Sequence, residues 1–412
     1  MKIHRASPSR LSDNLSPQNP TRPQRGFDLG GITETIAGAL AAAGLNPQSG
    51  LMKGVTDTIH RALEGAGLRQ RPVMPSEHAA TIDGTCHETV EPCTDVVGIP
   101  AEPAARIEPP VPGEFLNRSF TNDAGTRTYK LYIPASCAME SSEPVPMVVM
   151  LHGCTQSPDD FATGTRMNEL ADERGFLVVY PAQAANANGS RCWNWFRPED
   201  QSRESGEPSL IAGITREVAS TYRVDDRRIF VAGMSAGAAM AVVLGAAYPE
   251  LYAAVGAHSG LPYGAAHDVP SAFAVMQSGR ARSGALERSK AMPASGVASS
   301  WTPTIVFHGD QDRTVDPQNG IAIVENMTVI GLDGQPLRAI ARTETAPGGR
   351  KYSRTDYVDN ANQPVVEHWI VHGAGHAWSG GNPNGSFTDA LGPDASAEMI
   401  RFFYSQRRSG TS

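Results

Sequence analysis

Six apolar runs in this 412-residue chain are too dense to alternate: Val145–Leu151, Phe176–Tyr180, Ile229–Ala232, Ala253–Ala257, Thr304–Phe307 and Val365–Val371. A strand with one wet face reads apolar–polar–apolar. A continuous run must be covered on both faces, which is the situation of a strand inside a parallel sheet. Helical stretches lie between the runs, near 160–174, 208–221, 236–248, 317–326 and 393–405. Strands alternating with helices predict a doubly wound, mostly parallel α/β sheet with helices on both faces. Ahead of them, Phe115–Phe120 and Arg127–Ile133 flank the turn residues Asn122-Asp123-Ala124-Gly125, the pattern of a β-hairpin. The packed domain is therefore expected over 113–412.

Residues 1–112 read differently, as an amino-terminal extension. Positions 1–30 carry Pro8, Pro17, Pro20 and Pro23 among Ser, Asn and Arg, the composition of a disordered tail. Within 32–68, Leu51, Val55, Ile59 and Leu63 make one apolar stripe at helical spacing, and 70–112 is a Pro-rich linker. A formal net charge of −8 argues against a nucleic-acid partner, which would need a basic face. No apolar run approaches the roughly 18 residues of a spanning helix. The first residues lack the apolar core of a secretory signal, which leaves a cytoplasmic location open. Five cysteines, at 86, 93, 137, 154 and 192, leave at least one unpaired within a monomer. Cys86 and Cys93 are near enough to pair within the linker, which would leave Cys137 free.

Chemistry enters at Arg228-Ile229-Phe230-Val231-Ala232-Gly233-Met234-Ser235-Ala236-Gly237, a G-x-S-x-G between a strand and a helix. A serine on so tight a turn needs small neighbours on either side, and Gly233, Gly237, Ala236, Ala238 and Ala239 supply them. The helix amino terminus behind Ser235 adds free N–H groups and partial positive charge. A serine hydroxyl needs a base, and the base an orienting acid. On an α/β-hydrolase sheet these follow in the order Ser, Asp or Glu, His. The strand Thr304–Phe307 runs into Asp310, Asp312 and Asp316, and the strand Val365–Val371 into His372 and His376. Asp312 is the preferred acid, with Asp310 next. His376, in a Gly-flanked loop, is the preferred base, while His372 and His308 read as structural. Leu151-His152-Gly153-Cys154 ends another strand, so the backbone N–H groups of Cys154 and Ala236 are the expected oxyanion donors. Trp193, Trp195 and Trp378 lie in loops of the same face and suggest an aromatic-lined cleft. No step of this chemistry calls for a metal or an organic cofactor.

Taken in order, Leu151-His152-Gly153-Cys154-Thr155-Gln156, Cys192-Trp193-Asn194-Trp195, Gly233-Met234-Ser235-Ala236-Gly237 and Gly375-His376-Ala377-Trp378-Ser379-Gly380-Gly381 resemble the poly(3-hydroxybutyrate) depolymerase family of esterases. Gly125–Pro134 also resembles that family and the related feruloyl esterases. The resemblance covers about 113–405. It implies an α/β-hydrolase that is extracellular or envelope-associated, with Ser235, Asp312 and His376 as its triad. It also implies a disulfide between Cys154 and Cys192, and a role for the loop tryptophans in holding the ester chain. The expected activity is hydrolysis of carboxylic esters through an acyl-enzyme, with hydroxyalkanoate oligomers or polymer as substrate. Feruloyl and acetylxylan esters are the rival substrates, and a non-catalytic binding protein on the same fold is the rival class.

Overall fold

The computed structural model describes residues 113–138, 143–279, 302–328 and 335–408. The extension 1–112, its helical stripe and any Cys86–Cys93 pairing lie outside them.

Ten strands form one sheet: β1 (Glu114–Asn122), β2 (Gly125–Ile133), β3 (Val145–Leu151), β4 (Leu177–Pro181), β5 (Val224–Met234), β6 (Ala254–His258), β7 (Thr304–Gly309), β8 (Arg338–Thr345), β9 (Lys351–Val358) and β10 (Pro364–Val371), in the order β1-β2-β4-β3-β5-β6-β7-β10-β9-β8. The stretch from β4 to β10 is parallel throughout. The hairpin β1–β2 closes one side and β9–β8 the other, both antiparallel.

The dense apolar runs follow from how this sheet is covered. Met147, Val149, Leu151, Ile229 and Val231 face the helices 206–221, 236–247, 269–278 and 318–328. Val148, Met150, Phe230, Ala232 and Met234 face the opposite core, with Phe161, Met167, Met399, Phe402 and Phe403 from the helices 158–165, 167–174 and 395–404. Both sides of each strand are dry, so both sets of positions are apolar.

Register then aligns the strand ends that matter. Leu151 lies beside Gly233, Met234 beside His258, His258 beside Phe307, and Gly309 beside Val371. The loops leaving β3, β5, β6, β7 and β10 therefore start side by side, at the carboxyl edge where open α/β sheets place their sites.

Three features depart from the sequence reading. The helical stretch near 160–174 is two helices, broken at Arg166, which takes a left-handed φ of 56° and donates its backbone N–H to Ala162. The helix Val269–Ser278 carries no full apolar stripe, since only Ala272 and Val275 are buried; it is set by Asp268 and Ser271 in a capping box. The pair β8–β9 was not expected because it has little apolar signal. Every residue of β8 is exposed, and the buried positions of β9 include Arg354 and Asp356, paired at 2.6 Å. Among the described residues no helix is long and apolar enough to cross a membrane.

Candidate active site

Strand β5 passes directly into the helix Ala236–Ala247 through Ser235, whose backbone takes φ 56° and ψ −121°. Non-glycine residues are strained there, and a tight strand-to-helix turn enforces it. The two flanking glycines are sterically required. A Cβ on Gly233 would stand 2.5 Å from the Gly237 backbone, and one on Gly237 would stand 2.1 Å from the Leu151 carbonyl oxygen. The end of β3 presses against the turn, and only hydrogen fits between. Ser235 donates its backbone N–H to the His258 carbonyl at 2.9 Å, which ties the turn to the end of β6.

Asp312 and His376 meet in the loops after β7 and β10. His376 Nδ1 lies 2.7 Å from Asp312 Oδ2. An ionised carboxylate only accepts, so Nδ1–H is the donor of this bond. Asp312 Oδ1 accepts from the Thr314 and Val315 amides, each at 2.9 Å. Burial alone would raise this carboxyl's pKa. Its hydrogen bonds with His308 and His376, the His376 charge and the Val315 amide outweigh burial and hold the group well below the usual carboxylate range. His308 Nε2 lies 3.5 Å from Asp312 and donates to the Val315 carbonyl at 2.9 Å, so it braces the acid loop from inside the sheet.

Asp310 points elsewhere. Its Oδ2 lies 2.9 Å from His372 Nδ1, and His372 Nε2 lies 2.9 Å from Ser353 Oγ on β9. The chain thus holds two His–Asp pairs of different surroundings, the second of them joined to Ser353.

The third element is the loop after β3. A Cβ at Gly153 would lie 3.6 Å from Ser235 Cβ, so this loop borders the nucleophile directly. A disulfide joins Cys154 to Cys192, with the Cα atoms 4.2 Å apart. The same two loops are tied by Thr155 N–H to the Ser190 carbonyl at 2.7 Å and by Trp193 Nε1–H to the His152 carbonyl at 3.1 Å. Gly153 donates its N–H to Gln156 Oε1 at 2.9 Å, which fixes the His152–Gly153 peptide, one residue before Cys154.

A family profile described as "Esterase PHB depolymerase" matches residues 127–335, half of the sequence and most of the strands that build this edge. The chain belongs to this esterase family. Poly(3-hydroxyalkanoate) depolymerase C of Paucimonas lemoignei is 32% identical over 259 residues, covering 62% of this chain and 59% of that protein. A probable acetylxylan esterase A of Aspergillus fumigatus is 29% identical over 208 residues, 48% of this chain and 53% of its own length. The chain thus spans less than two thirds of these curated relatives. A solved acetyl xylan esterase from Aspergillus awamori superposes with a TM-score of 0.56 at 21% identity, covering 71% of this chain and all of that one. The shared fold is the α/β-hydrolase sheet.

Within this PHB depolymerase-family chain the tryptophans do not line an open cleft. Trp193 and Trp378 are 0% and 1% exposed, and Trp195 is 5% exposed. Each has partners inside the protein. Trp193 stands against His152, Trp195 meets Phe196 edge-on, and Trp378 lies between Phe161 and His258 with its Nε1–H on Ser396 Oγ. Indole rings in loops above a sheet are large enough to serve as the loops' own core. They brace the loops, and their rings do not form the exposed aromatic lining that the sequence suggested.

Three polar residues that the sequence reading left without a role organise the site. His258 accepts the Ser379 N–H on Nε2 at 3.0 Å, stacked between Phe307 and Trp378. Its backbone oxygen holds Ser235, so one residue ties the nucleophile turn to the segment just past His376. Burial, followed by the charges of His308 and His376, pushes its pKa down to about 3, so it stays neutral. Glu207, 3% exposed, accepts from the Asn194 backbone N–H at 2.7 Å, Asn194 Nδ2 at 2.8 Å, Arg127 and the Gln183 side-chain amide. It anchors the Cys192–Trp195 loop from below. Gln156 is the third, since its Nε2 donates to Asp160 Oδ2 and to the Ser386 carbonyl at 3.0 and 3.2 Å. Of the three, only Gln156 belongs to a family-like motif, the one that begins at Leu151. A buried carboxylate or a strand-end histidine carries no signal at the level of spacing.

Proposed function

We propose that this chain is a serine esterase that hydrolyses hydroxyalkanoate esters through an acyl-enzyme on Ser235. In the first half-reaction His376 Nε2 takes the Ser235 hydroxyl proton as Oγ bonds to the ester carbonyl carbon. The carbonyl oxygen becomes an alkoxide that accepts from the Cys154 and Ala236 N–H groups. The intermediate collapses, the bond to the alcohol oxygen breaks, and His376 returns the proton to that oxygen. Water then attacks the acyl-enzyme by the same route, releasing the acid and restoring Ser235. Asp312 keeps the imidazole in its Nδ1–H tautomer and stabilises its cation. Each oxyanion donor contributes on the order of 3–4 kcal/mol of transition-state stabilisation.

The observation that carries this reading is the 2.7 Å contact between His376 Nδ1 and the buried Asp312, in the loops beside a strained Ser235 turn. The preference for hydroxyalkanoates rests on the relative from Paucimonas lemoignei, which is 32% identical over 259 residues against 29% over 208 for the Aspergillus fumigatus protein. A second reading, esters of acetylated or feruloylated polysaccharide, is favoured by the acetylxylan esterase relative from Aspergillus fumigatus. The Cys154–Cys192 disulfide supports work in an oxidising, extracellular setting.

The deciding assay offers the purified chain a 3-hydroxybutyrate trimer, acetylated xylan and methyl ferulate side by side. Release of 3-hydroxybutyrate at a kcat/KM at least tenfold above the release of acetate or ferulate is expected. The reverse order would transfer the assignment to the polysaccharide esters.

A further inference from the structure

With the three tryptophans buried, the site needs another apolar surface for the acyl chain. The exposed large hydrophobic residues among those described are Phe273, Ile340, Phe387 and Leu391. Phe273 stands on the helix Val269–Ser278, whose Met276 and Val275 carbonyls are tied to Asp316 and Asn319 beyond the acid loop, and Ile340 stands on the edge strand β8. Phe387 is 47% exposed and is tied to two of the site's loops at once. Its carbonyl accepts the Trp378 N–H at 2.7 Å, two residues beyond His376. The preceding Ser386 donates its N–H to Asp160 Oδ1 at 2.9 Å, and its carbonyl accepts from Gln156 Nε2 at 3.2 Å. Gln156 in turn accepts the Gly153 N–H, and Gly153 borders Ser235. One hydrogen-bonded path therefore leads from Phe387 to the oxyanion loop, and another to the base loop.

The backbone points the same way. Phe387 holds φ at +51°, where a side chain with a Cβ is strained and where glycine or asparagine would rest more easily. The surrounding bonds over-determine that conformation, and strain held in this manner gathers at ligand-binding positions. Leu391 shares the loop, but its carbonyl is engaged by the Arg350 N–H, on the side toward β9.

We infer that Phe387 is the aromatic contact for the acyl chain of the substrate, the surface against which the methyl-bearing carbons of a hydroxyalkanoate oligomer lie once its ester carbonyl is in the oxyanion site. This rests on the hydroxyalkanoate reading of the site. An acetyl group ends at the oxyanion site, whereas a trimer extends beyond it, so the contact discriminates by chain length.

The test compares wild type with Phe387→Asn, which removes the ring but tolerates the left-handed backbone, and with Phe387→Tyr, which keeps a ring. Each is assayed on the 3-hydroxybutyrate trimer and on p-nitrophenyl acetate, with the melting temperature as a folding control. Phe387→Asn should raise KM for the trimer about tenfold, the factor that about 1.4 kcal/mol of lost contact represents. Its kcat should stay within about threefold, and the ratio of kcat/KM for trimer over acetate should fall about tenfold. Phe387→Tyr should restore most of that ratio. An unchanged ratio in Phe387→Asn, whether both activities persist or both fall together, overturns the inference. Wild-type protein that cleaves p-nitrophenyl acetate but leaves the trimer intact defeats the hydroxyalkanoate reading itself, and this inference with it.

Discussion

The proposed triad Ser235–His376–Asp312 and the grouping Ser353–His372–Asp310 contain the same three residue types, yet they differ in burial and in backbone setting. In the first, the Asp312 and His376 side chains are 0% and 12% exposed; in the second, those of Asp310 and His372 are 34% and 38% exposed. Ser235 sits on a strained turn at a helix amino terminus, while Ser353 lies within β9, paired on one side with β10 and on the other with β8. Ser353 Oγ also meets Thr343 Oγ1 at 3.0 Å, so its hydroxyl is held in a chain of ordinary hydrogen bonds. A serine hydroxyl that donates to a histidine gains some nucleophilicity from it. Turnover requires in addition that amide donors point at the developing alkoxide and that water be kept from screening them. The β9 grouping serves instead to fasten the Asp310 loop to the sheet, where Gly373 also donates its N–H to Asp310 at 2.7 Å.

The sharpest way to break this contrast is to remove each serine. Ser235→Ala should lower ester turnover by several orders of magnitude with little change in melting temperature, whereas Ser353→Ala should leave kcat/KM within about twofold. A fluorophosphonate probe followed by peptide mass spectrometry should mark Ser235 alone. Labelling of Ser353 in the Ser235→Ala protein would erase the distinction.

Next in size is the pair of acids. Asp312→Asn should reduce kcat by about 10⁴, because the amide favours the wrong imidazole tautomer. Asp310→Asn should cost less than about threefold, since its partner is His372. If the two effects were reversed, the assignment of His376 as base would fall with them.

The smallest expected effect is on stability, and it tests the burial of three histidines that belong to neither grouping. Burial pushes His258 down to about 3, His152 to about 4 and His368 to about 4, so all three are neutral when folded. Unfolded imidazoles take up protons near 6.5. The unfolded chain therefore binds more protons below that pH, and stability that is whole above it drains away as pH falls toward 4. Each histidine contributes about 1.4 kcal/mol per pH unit in that window. Asp200 works the other way. Burial, then the nearby Glu207 charge, raises it to about 7, so its contribution is present below about 4 and is lost as pH rises through 7. Three groups oppose one, and urea titrations should find the protein a few kcal/mol less stable at pH 5 than at pH 7. Equal stability at the two pH values would mean that these histidines are not held neutral.

Much of this was legible without coordinates. The apolar runs named six strands of the central sheet because burial on both faces leaves no room for polar alternation. Gly233-Met234-Ser235-Ala236-Gly237 was legible because a turn that tight admits only small neighbours, a local steric demand written in consecutive residues. The edge pair β8–β9 was not legible. A strand exposed on both faces has no hydrophobic constraint, and one that buries Arg354 against Asp356 looks polar although it is internal.

What the chain order determined by itself was the class of sheet, the nucleophile turn, and a short set of acids and bases in the loops that follow the right strands. Those are properties of neighbouring residues and of the period of burial. Which acid faces which histidine, which tryptophans are buried, and which aromatic is left exposed in the loop tied to Trp378 were decided only by the fold. Asp310 and Asp312 are two residues apart and alike in chemistry, but the Val315 and Thr314 amides turn one inward to His376 while the Gly373 amide and His372 hold the other outward. The partners that tell the two apart, His376, His372 and Gly373, lie 64, 62 and 63 positions away and are brought into contact by the packing of the sheet.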